Sequence, residues 1–343
     1  MKILYLLKPR THDLLKRYLD SFVASAKERG IDVSTVHLAE EDLRAGKFAL
    51  LRRLRGMIKQ EGFALVHSHD PDTHPFAALA AKAAFVPSVY TQHFREYKRT
   101  AHWPFALDAA VLCASEDLKK DLLSYHRVSS RKLRVIYNGV DVRRIDAEAD
   151  AKAREELRAK LGFGPSVFVI GNIAPCVKEE DQASIIKAIK KLASRELDAQ
   201  LLISGEGPIK DELIKVAEDY GVKERLKFYH ANGDPYKLLS ALDCLVLTPF
   251  NEGRPYTVLE AMAARKPVIA SSIGANKEVI EERKNGYLVP CGFPERIHSA
   301  VMRLNAIKEL PQQIGEAGRR LVEEKFTLER TVNSYGELYK ELV

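Results

Sequence analysis

The chain has 343 residues, more than one hydrophobic core usually covers, and its length favours two domains of about 150 residues each. With 46% apolar and 29% charged residues it can bury two cores and stay soluble. No stretch approaches the ~18 apolar residues of a membrane span, and the opening MKILYLLKPR is charged too soon for a signal peptide. Four cysteines scattered singly favour neither zinc nor disulfides, so we expect a cytoplasmic protein with free thiols.

Positive charge is concentrated in the first half of the chain. Residues 1–150 hold 25 Lys and Arg against 19 acids, a net charge of +6, whereas residues 151–343 hold 29 against 28, a net charge of +1. This bias indicates an anionic partner, such as a membrane surface or a nucleic acid. Nucleic-acid binding would rest on the isoelectric point of about 9.0 alone. No RNA-binding signature accompanies it, so we expect no nucleic acid.

The first predicted strand is the apolar run Lys2 to Leu7. A dinucleotide site would need Gly-x-Gly-x-x-Gly directly after it, but the chain continues Lys8-Pro-Arg-Thr-His-Asp, which argues against a nicotinamide enzyme. Leu14 to Arg29 is periodic as a helix, Gly30 closes it, and Ile31 to His37 is the second predicted strand. This alternation is that of an α/β sheet.

Lys47 to Lys59 predicts an amphipathic helix with a basic face. Leu51, Leu54 and Ile58 repeat at helical spacing. The basic residues, with no acid among them, are Lys47, Arg52, Arg53, Arg55 and Lys59. Such a helix can lie on anionic lipid. The alternative is a helix packed on its own domain with a solvated basic face.

Two aspartates, Asp70 and Asp72, follow the third predicted strand, Ala64 to His69. With His67, His69 and the nearby His74 they resemble a set of metal ligands. However, alternation along the strand sends His67 and His69 to one face, and an aspartate on this Pro-bearing loop can simply cap the next helix. We therefore predict no metal here.

The fourth predicted strand runs from Val86 to His93 and ends in a histidine. From the residues alone, a histidine at this place is either structural or part of a ligand site at the sheet edge. The segment that follows, Phe94 to Trp103, mixes basic and aromatic side chains, which suits a membrane interface or an acceptor-binding loop.

Arg143 to Lys160 is charged and rich in alanine, and we place a domain boundary in this linker. Beyond it, Ser166 to Asn172 predicts the first strand of a second domain, and Leu201 to Gly205 a strand that ends in a glycine turn. Cys244 to Leu247 predicts a further buried strand.

The most informative stretch is Asn251 to Ile280, NEGRPYTVLEAMAARKPVIASSIGANKEVI. It links the strand Cys244 to Leu247 to a helix predicted over Val258 to Ala264, which places Glu252 to Thr257 at the carboxyl edge of a sheet, where ligands bind. The N–H groups of residues 256–258 would be the unpaired donors of a helix N-terminus, which suits a phosphate or diphosphate.

Two carboxylates, Glu252 and Glu260, stand eight positions apart in this stretch. A sugar nucleotide would use both features, because its phosphates accept from the N–H groups and its vicinal hydroxyls donate to the carboxylates. The alternative for Glu260 is a capping box with Thr257 as N-cap, and the alternative for Glu252 is a solvated charge on a turn.

The string Glu-Gly-x-Pro, Leu-Glu-Ala-Met-Ala, Lys-Pro-Val-Ile-Ala-Ser, Ile-Gly and Glu-Val-Ile resembles the donor-site signature of the retaining glycosyltransferases of family four, or glycosyl transferases group 1. The resemblance implies an α/β fold of the GT-B type, with two doubly wound Rossmann-like domains facing a cleft. It implies an acceptor-side domain over residues 1–148 with a crossover helix over 326–343, and a donor-binding domain over 149–325.

The resemblance also implies the reaction: transfer of a sugar, with retention, from a UDP- or GDP-linked nucleotide sugar to an acceptor hydroxyl, with no metal and no cofactor. It implies a sugar or lipid-linked acceptor in the synthesis of cell-surface polysaccharide, lipopolysaccharide or glycolipid. The catalytic residues that it implies are Glu252, His93 and Lys178. The donor-binding residues that it implies are Asn172, Gly205, Arg254, Pro255, Tyr256, Thr257 and Glu260.

The chain departs from the family pattern at Asn172, where the family has an arginine that clamps the donor diphosphate. Losing that cation would cost several kcal/mol of donor binding, since charge-assisted hydrogen bonds contribute about 1.5–3 kcal/mol each. Arg254 would supply the missing charge; the alternatives are weak donor binding or a non-catalytic subunit that supports a partner glycosyltransferase. Arg265 also replaces a family glycine, but it lies past the ligand contacts.

Overall fold

The computed structural model describes residues 1–8, 13–39, 42, 47–95, 103–195, 197–230, 235–251 and 255–343. The chain forms two compact units, one of Met1–Asn138 with Leu328–Val343 and one of Gly139–Thr327. The boundary predicted at 148/149 lies inside the second of these units. Within the described ranges, no helix is both long and apolar enough to cross a membrane.

The first unit is built on a parallel sheet, and its predicted strands are confirmed. Among the residues described, the sheet has six strands, β1 (Lys2–Leu7), β2 (Asp32–His37), β3 (Leu65–Ser68), β4 (Ser88–Gln92), β5 (Ala110–Cys113) and β6 (Leu133–Val135), in the order β2-β1-β3-β4-β5-β6. Between these strands lie the helices α1 (Asp13–Glu28), α2 (Lys47–Gln60), α3 (His74–Ala84), α4 (Trp103–Leu107) and α5 (Glu116–Ser124).

The second unit repeats this architecture with a second parallel sheet, whose described strands are β7 (Phe168–Ile173), β8 (Ala199–Ser204), β9 (Leu226–Phe228), β10 (Cys244–Leu247), β11 (Val268–Ser271) and β12 (Tyr287–Val289), in the order β12-β11-β10-β7-β8-β9. The same unit contains the helices α6 (Val142–Glu148), α7 (Ala151–Lys160), α8 (Gln182–Ala193), α9 (Lys210–Asp219), α10 (Pro235–Ala241), α11 (Tyr256–Ala263), α12 (Asn276–Val279), α13 (Pro294–Ala306) and α14 (Leu310–Lys325), with 3₁₀ turns at Lys178–Glu180 and Lys223–Arg225.

The strand order of the second sheet creates a topological switch point. β7, the first strand of this unit in sequence, lies between β10 and β8, with Cys244 opposite Ile170 in the β10 pairing. The chain therefore fills the sheet on one side of β7 and then crosses to the other. Loops that follow β7 and β10 diverge at this point, and the crevice between them is where doubly wound sheets hold ligands.

The last helix, α15 (Leu328–Leu342), belongs to the first unit. Its Tyr339 hydroxyl lies 2.7 Å from the hydroxyl of Tyr5 on β1, and both side chains are buried. Gly336 leaves room for Ile31, because a Cβ there would lie 2.9 Å from the Ile31 Cδ1 atom. The C-terminal helix is thus part of the core of the unit in which the chain begins.

The apolar side of α2 is also core. Leu50, Leu54 and Ile58 are buried and pack against Leu4 and Val66 of the sheet. Of the predicted stripe, Leu54 and Ile58 are thus covered by protein and Leu51 is half-buried against the same cluster, so these side chains do not lie on lipid. Binding of anionic lipid by the basic side of the helix stays a prediction. The alternative, a helix packed on its own domain, is confirmed for this side of α2.

Candidate functional site

Three loops at the carboxyl edge of the second sheet are joined by hydrogen bonds. We call residues 174–181, 248–251 and 290–293 the loop platform. The Phe250 N–H donates to the Glu179 carbonyl at 2.8 Å, the Gly292 N–H donates to Asp181 Oδ2 at 2.8 Å, and the thiol of Cys291 lies 3.2 Å from the Pro249 carbonyl oxygen. These bonds fix the loops after β7, β10 and β12 relative to one another at the switch point.

The glycine turn after β8 supports the first of these loops. A Cβ on Gly205 would lie 1.9 Å from the carbonyl oxygen of Ala174, and one on Gly207 would lie 2.2 Å from that of Cys176. The Ala174 N–H donates to the Ser204 carbonyl at 3.1 Å. Only glycine permits so close an approach of two backbones. What the structure shows for Gly205, predicted to bind the donor, is that it seats the loop leading to Lys178.

Lys178 is exposed on the loop platform, and its side chain makes no hydrogen bond or ion pair with the described part of the chain. It opens a short 3₁₀ turn, Lys178–Glu180, that ends at Asp181. Asp181 has a φ of +51°, and its carboxylate accepts from the Ser184 hydroxyl and the Gly292 N–H. These bonds of the Asp181 side chain offset the strain of its backbone and fix the turn that begins at Lys178.

The side chain of Asn172 is used inside the fold, and its predicted role in donor binding stays a prediction. It is fully buried on β7. Its amide Nδ2 donates to the Val246 carbonyl of β10 at 2.9 Å, and its Oδ1 accepts from Gln182 Nε2 at 3.3 Å. Both halves of the amide are therefore used to join the two strands of the switch point and the start of α8.

The helix after β10 begins where a diphosphate site would need it. Pro255 is the N-cap, and the first intrahelical bond runs from the Leu259 N–H to the Pro255 carbonyl at 2.9 Å. The amides of Tyr256, Thr257 and Val258 therefore occupy the first turn, before the helical bonds begin. The alternative of a capping box is wrong, because Thr257 is inside the helix and the N-cap makes no side-chain bond.

Of the two predicted acids of this segment, Glu260 lies within the described residues. Glu260 is completely buried within α11, in the turn after the first-turn amides. Glu252 and Arg254 lie outside the described residues, so their roles stay predictions. Pro255 and Tyr256 are buried and Thr257 is half-buried.

Two further groups of the site were missed by sequence reasoning. Glu180 is mostly buried beside the exposed Glu179, and burial, then the neighbouring charge, raises the pKa of its carboxyl from 4.5 to about 7. Thr248 follows β10 directly, and its buried hydroxyl makes no hydrogen bond with the described part of the chain. The only signals were the Glu179-Glu180-Asp181 run and a threonine at a strand end.

His93 lies just past the carboxyl end of β4 in the first unit and is buried. Its Nε2 is 3.0 Å from His69 Nδ1, and its Nδ1 is 3.4 Å from Asn138 Nδ2. Since an amide Nδ2 can only donate, His93 accepts at Nδ1 and donates its Nε2–H to His69. Both ring nitrogens are therefore occupied inside the first unit, and burial lowers the pKa of His69 to about 3.

The side chains that resemble metal ligands form hydrogen bonds or ion pairs with other groups of the chain. His67 lies 2.6 Å from the Tyr339 hydroxyl, and His74 lies 2.6 Å from Asp108 Oδ2. Asp70 accepts from the Thr73 N–H at 2.9 Å in the turn before α3, but the N-cap of that helix is Thr73 and no side chain caps it, so the predicted capping is not seen. Among the residues with described positions, no group of three His, Cys, Asp or Glu is placed to hold a metal ion.

Two known protein families match the chain, each over most of one of its two units. The family described as Glycosyl transferases group 1 matches residues 153–321, and the one described as Glycosyltransferase Family 4 matches residues 13–144. The chain is 26% identical over 304 residues to the UDP-Gal:alpha-D-GlcNAc-diphosphoundecaprenol alpha-1,3-galactosyltransferase of Escherichia coli, covering 84% of this chain and 78% of that protein.

A second relative and a solved structure are also similar to this chain over most of its length. The N-acetyl-alpha-D-glucosaminyl L-malate synthase of Bacillus anthracis is 24% identical over 308 residues, covering 86% of this chain and 79% of that protein. The crystal structure of Anabaena Alr3699/HepE in complex with UDP superposes with a TM-score of 0.83 at 18% identity and covers 100% of both chains. The chain therefore belongs to the group 1 glycosyltransferases, enzymes of sugar transfer with the two-domain, Rossmann-like GT-B fold.

Proposed function

We propose that the protein moves a hexose-type sugar from a nucleoside diphosphate sugar to an acceptor hydroxyl, with retention and without a bound metal. The observation that supports this most is the meeting of two anion-binding features at one switch point. Lys178 follows β7 and the N-terminus of α11 follows β10, and hydrogen bonds join the loops that carry them. A cation and first-turn amides carried on joined loops suit a diphosphate.

The donor diphosphate would lie between the Lys178 ammonium and the first-turn amides of α11. Asn172 supplies no charge because its side chain is a neutral amide, which is also buried and hydrogen-bonded to β10, so we assign the second cation to Arg254. Each charge-assisted bond to a phosphate oxygen contributes about 1.5–3 kcal/mol. Two such cations would replace the arginine and lysine of the family pattern. The UDP bound to Anabaena Alr3699/HepE supports a uridine donor, and a guanosine donor is the alternative.

The sugar would be held by carboxylates, with Glu252 accepting from its hydroxyls and the buried Glu260 accepting from the ribose. In the front-face mechanism that we propose, no side chain attacks the sugar, and the leaving diphosphate takes the proton of the acceptor hydroxyl. Catalysis then consists of stabilising the charge that grows on the diphosphate. His93 would act on the donor sugar only after giving up one of its two present partners.

We further propose a sugar or lipid-linked acceptor and a cytoplasmic location at the inner face of a membrane, in the synthesis of cell-surface polysaccharide, lipopolysaccharide or glycolipid. The Escherichia coli relative is named for a diphosphoundecaprenol acceptor, which supports a lipid-linked substrate. The Bacillus anthracis relative is named for L-malate, so a small soluble acceptor is the alternative to test.

The donor site is tested by thermal shift against UDP, GDP and their common sugar derivatives. A ligand at 100 times its Kd should stabilise the fold by ~2.7 kcal/mol. Lys178→Ala should weaken nucleoside diphosphate binding more than tenfold, whereas Lys190→Ala, an exposed lysine of α8, should leave it unchanged. Equal affinities in the two variants would remove Lys178 from the site.

Turnover is tested separately by donor hydrolysis. Glu252→Gln should retain nucleoside diphosphate binding but strongly reduce kcat, because a neutral amide replaces the charged acceptor. Binding without any turnover in the wild-type protein would instead favour the non-catalytic subunit that supports a partner glycosyltransferase.

A further inference from the structure

One side of α2 is turned away from the core of the first unit and carries a regular stripe. Phe48, Arg52, Arg55 and Lys59 follow one another at spacings of four, three and four residues, and all four are exposed. Residues at these spacings share one face of a helix. The stripe spans the twelve residues from Phe48 to Lys59, or about 16 Å of helix.

Two phenylalanines on this part of the molecule are almost wholly exposed. Phe48 is 90% exposed and Phe85, directly after α3, is 89% exposed. Phe85 also has a φ of +63°, a conformation in which glycine or asparagine normally ends a helix. A bulky apolar residue is thus kept in a strained backbone while its side chain faces water. Strain and apolar exposure at one residue indicate an interaction site.

The ends of α2 and α3 form one continuous surface. Arg55 Nε donates to the Ala83 carbonyl at 3.0 Å, and the Lys59 ammonium lies 5.7 Å from the centre of the Phe85 ring. Phe85 therefore continues the α2 stripe, with one aromatic ring at each end and cations between them. We call Phe48, Arg52, Arg55, Lys59 and Phe85 the aromatic-basic face.

The charge of this face has one sign. α2 and α3 contain no Asp or Glu, whereas their exposed residues include Lys47, Arg52, Arg55, Lys59 and Lys82. Arg53 is set aside because it pairs with Asp42 at 2.9 Å. A second copy of the chain would bring cations against cations, so self-association does not fit. An anionic surface that can also bury apolar rings fits both the charge and the exposed phenylalanines of this face.

We propose that the aromatic-basic face docks on the surface of an anionic lipid bilayer. α2 lies along the headgroups, its cations meet lipid phosphates, and the rings of Phe48 and Phe85 enter the boundary with the acyl chains. The leucines of α2 stay in the core, so this contact differs from that of a free amphipathic helix. This inference deepens the membrane location proposed above and is independent of the sugar-transfer chemistry.

Sedimentation with vesicles, in the absence of donor and acceptor, tests whether Phe48 and Phe85 contribute to membrane binding. The protein should bind vesicles of equimolar phosphatidylcholine and phosphatidylglycerol but not pure phosphatidylcholine, and added salt should weaken binding. Phe48→Ser and Phe85→Gly should each lower partitioning about tenfold, given ~1.5–3 kcal/mol for burying such a side chain. Tyr125→Ser, which changes another exposed aromatic of the same unit, is the control and should have no effect.

The effect on stability separates docking from a structural role. Phe85→Gly relieves the left-handed strain, so its Tm should equal or exceed that of the wild type while its vesicle binding falls. Changing Arg52, Arg55 and Lys59 together to Ser should lower partitioning about 100-fold, at about 1 kcal/mol for each charge. The same number of changes at Lys152, Lys223 and Lys284 of the second unit should have no effect.

Three results would overturn the proposal. One is equal binding to neutral and anionic vesicles. A second is unchanged binding by Phe48→Ser and Phe85→Gly. The third is a preference for RNA over vesicles that the same variants abolish, which would make the face a nucleic-acid surface. Failure of vesicle binding would leave the donor site untouched, since nucleoside diphosphate titration reads that site separately.

Discussion

Gly205→Ala tests whether the glycine turn after β8 positions the donor site. The added Cβ would lie 1.9 Å from the Ala174 carbonyl oxygen, whereas ordinary contact begins at 3.4 Å, so one backbone must retreat by about 1.5 Å (3.4 − 1.9). This strain should cost about 1–3 kcal/mol of the free energy of unfolding. The retreat should also weaken the hydrogen bond from the Ala174 N–H to the Ser204 carbonyl, which would lower the free energy of unfolding by a further ~1 kcal/mol.

The same substitution should impair ligand binding, because the displaced loop carries Lys178 four residues on. A shift of about 1 Å at a catalytic group can lower activity about 100-fold. We expect urea denaturation to show the loss of stability and nucleoside diphosphate titration to show a Kd raised at least tenfold.

Gly164→Ala is the matched control for this substitution. Its added Cβ would meet only Val167 Cγ2 at an ordinary 3.6 Å, and its φ is not in the left-handed range. It should leave nucleoside diphosphate affinity unchanged and stability equal or slightly higher. If Gly205→Ala behaves like Gly164→Ala in both assays, the glycine turn neither packs against the loop nor positions the site.

Substitutions at three further positions test the second unit. Asn172→Arg, which restores the family residue, should destabilise the fold by several kcal/mol in urea, because it buries a charge where the amide bonds Val246; tighter nucleoside diphosphate binding with an intact fold would contradict this. Arg265→Gly should exceed Arg265→Ala in stability by about 1 kcal/mol in thermal unfolding, since both lose two exposed ion pairs but only glycine relieves the φ of +58°. Burial, then the nearby arginines, lowers the pKa of Lys266 from 10.5 to about 8. The wild type should therefore gain stability relative to Lys266→Met as pH rises from 8 to 10.5, by up to ~3 kcal/mol; a constant difference across this range would refute the assignment.

The strands and the family were readable from the sequence because they rest on local patterns. Apolar runs such as Lys2–Leu7 and Cys244–Leu247 form strands with the predicted bounds, since a strand buried on both faces needs an unbroken apolar stretch. The predicted start of α11, Val258, lies two residues from the observed start at Tyr256, because the apolar pattern of the helix is also local. These features depend on neighbours along the chain.

What only the tertiary structure decided is which side chains remain available to a partner. Asn172 stood at a family binding position, yet the pairing of β7 with β10 uses its amide internally. The leucines of α2 had the spacing of a lipid-facing stripe, yet the sheet covers them and leaves Phe48 and Phe85 outside. Burial and hydrogen bonding are set by residues distant in sequence, so spacing along the chain predicts a face of a helix or strand but not what that face contacts.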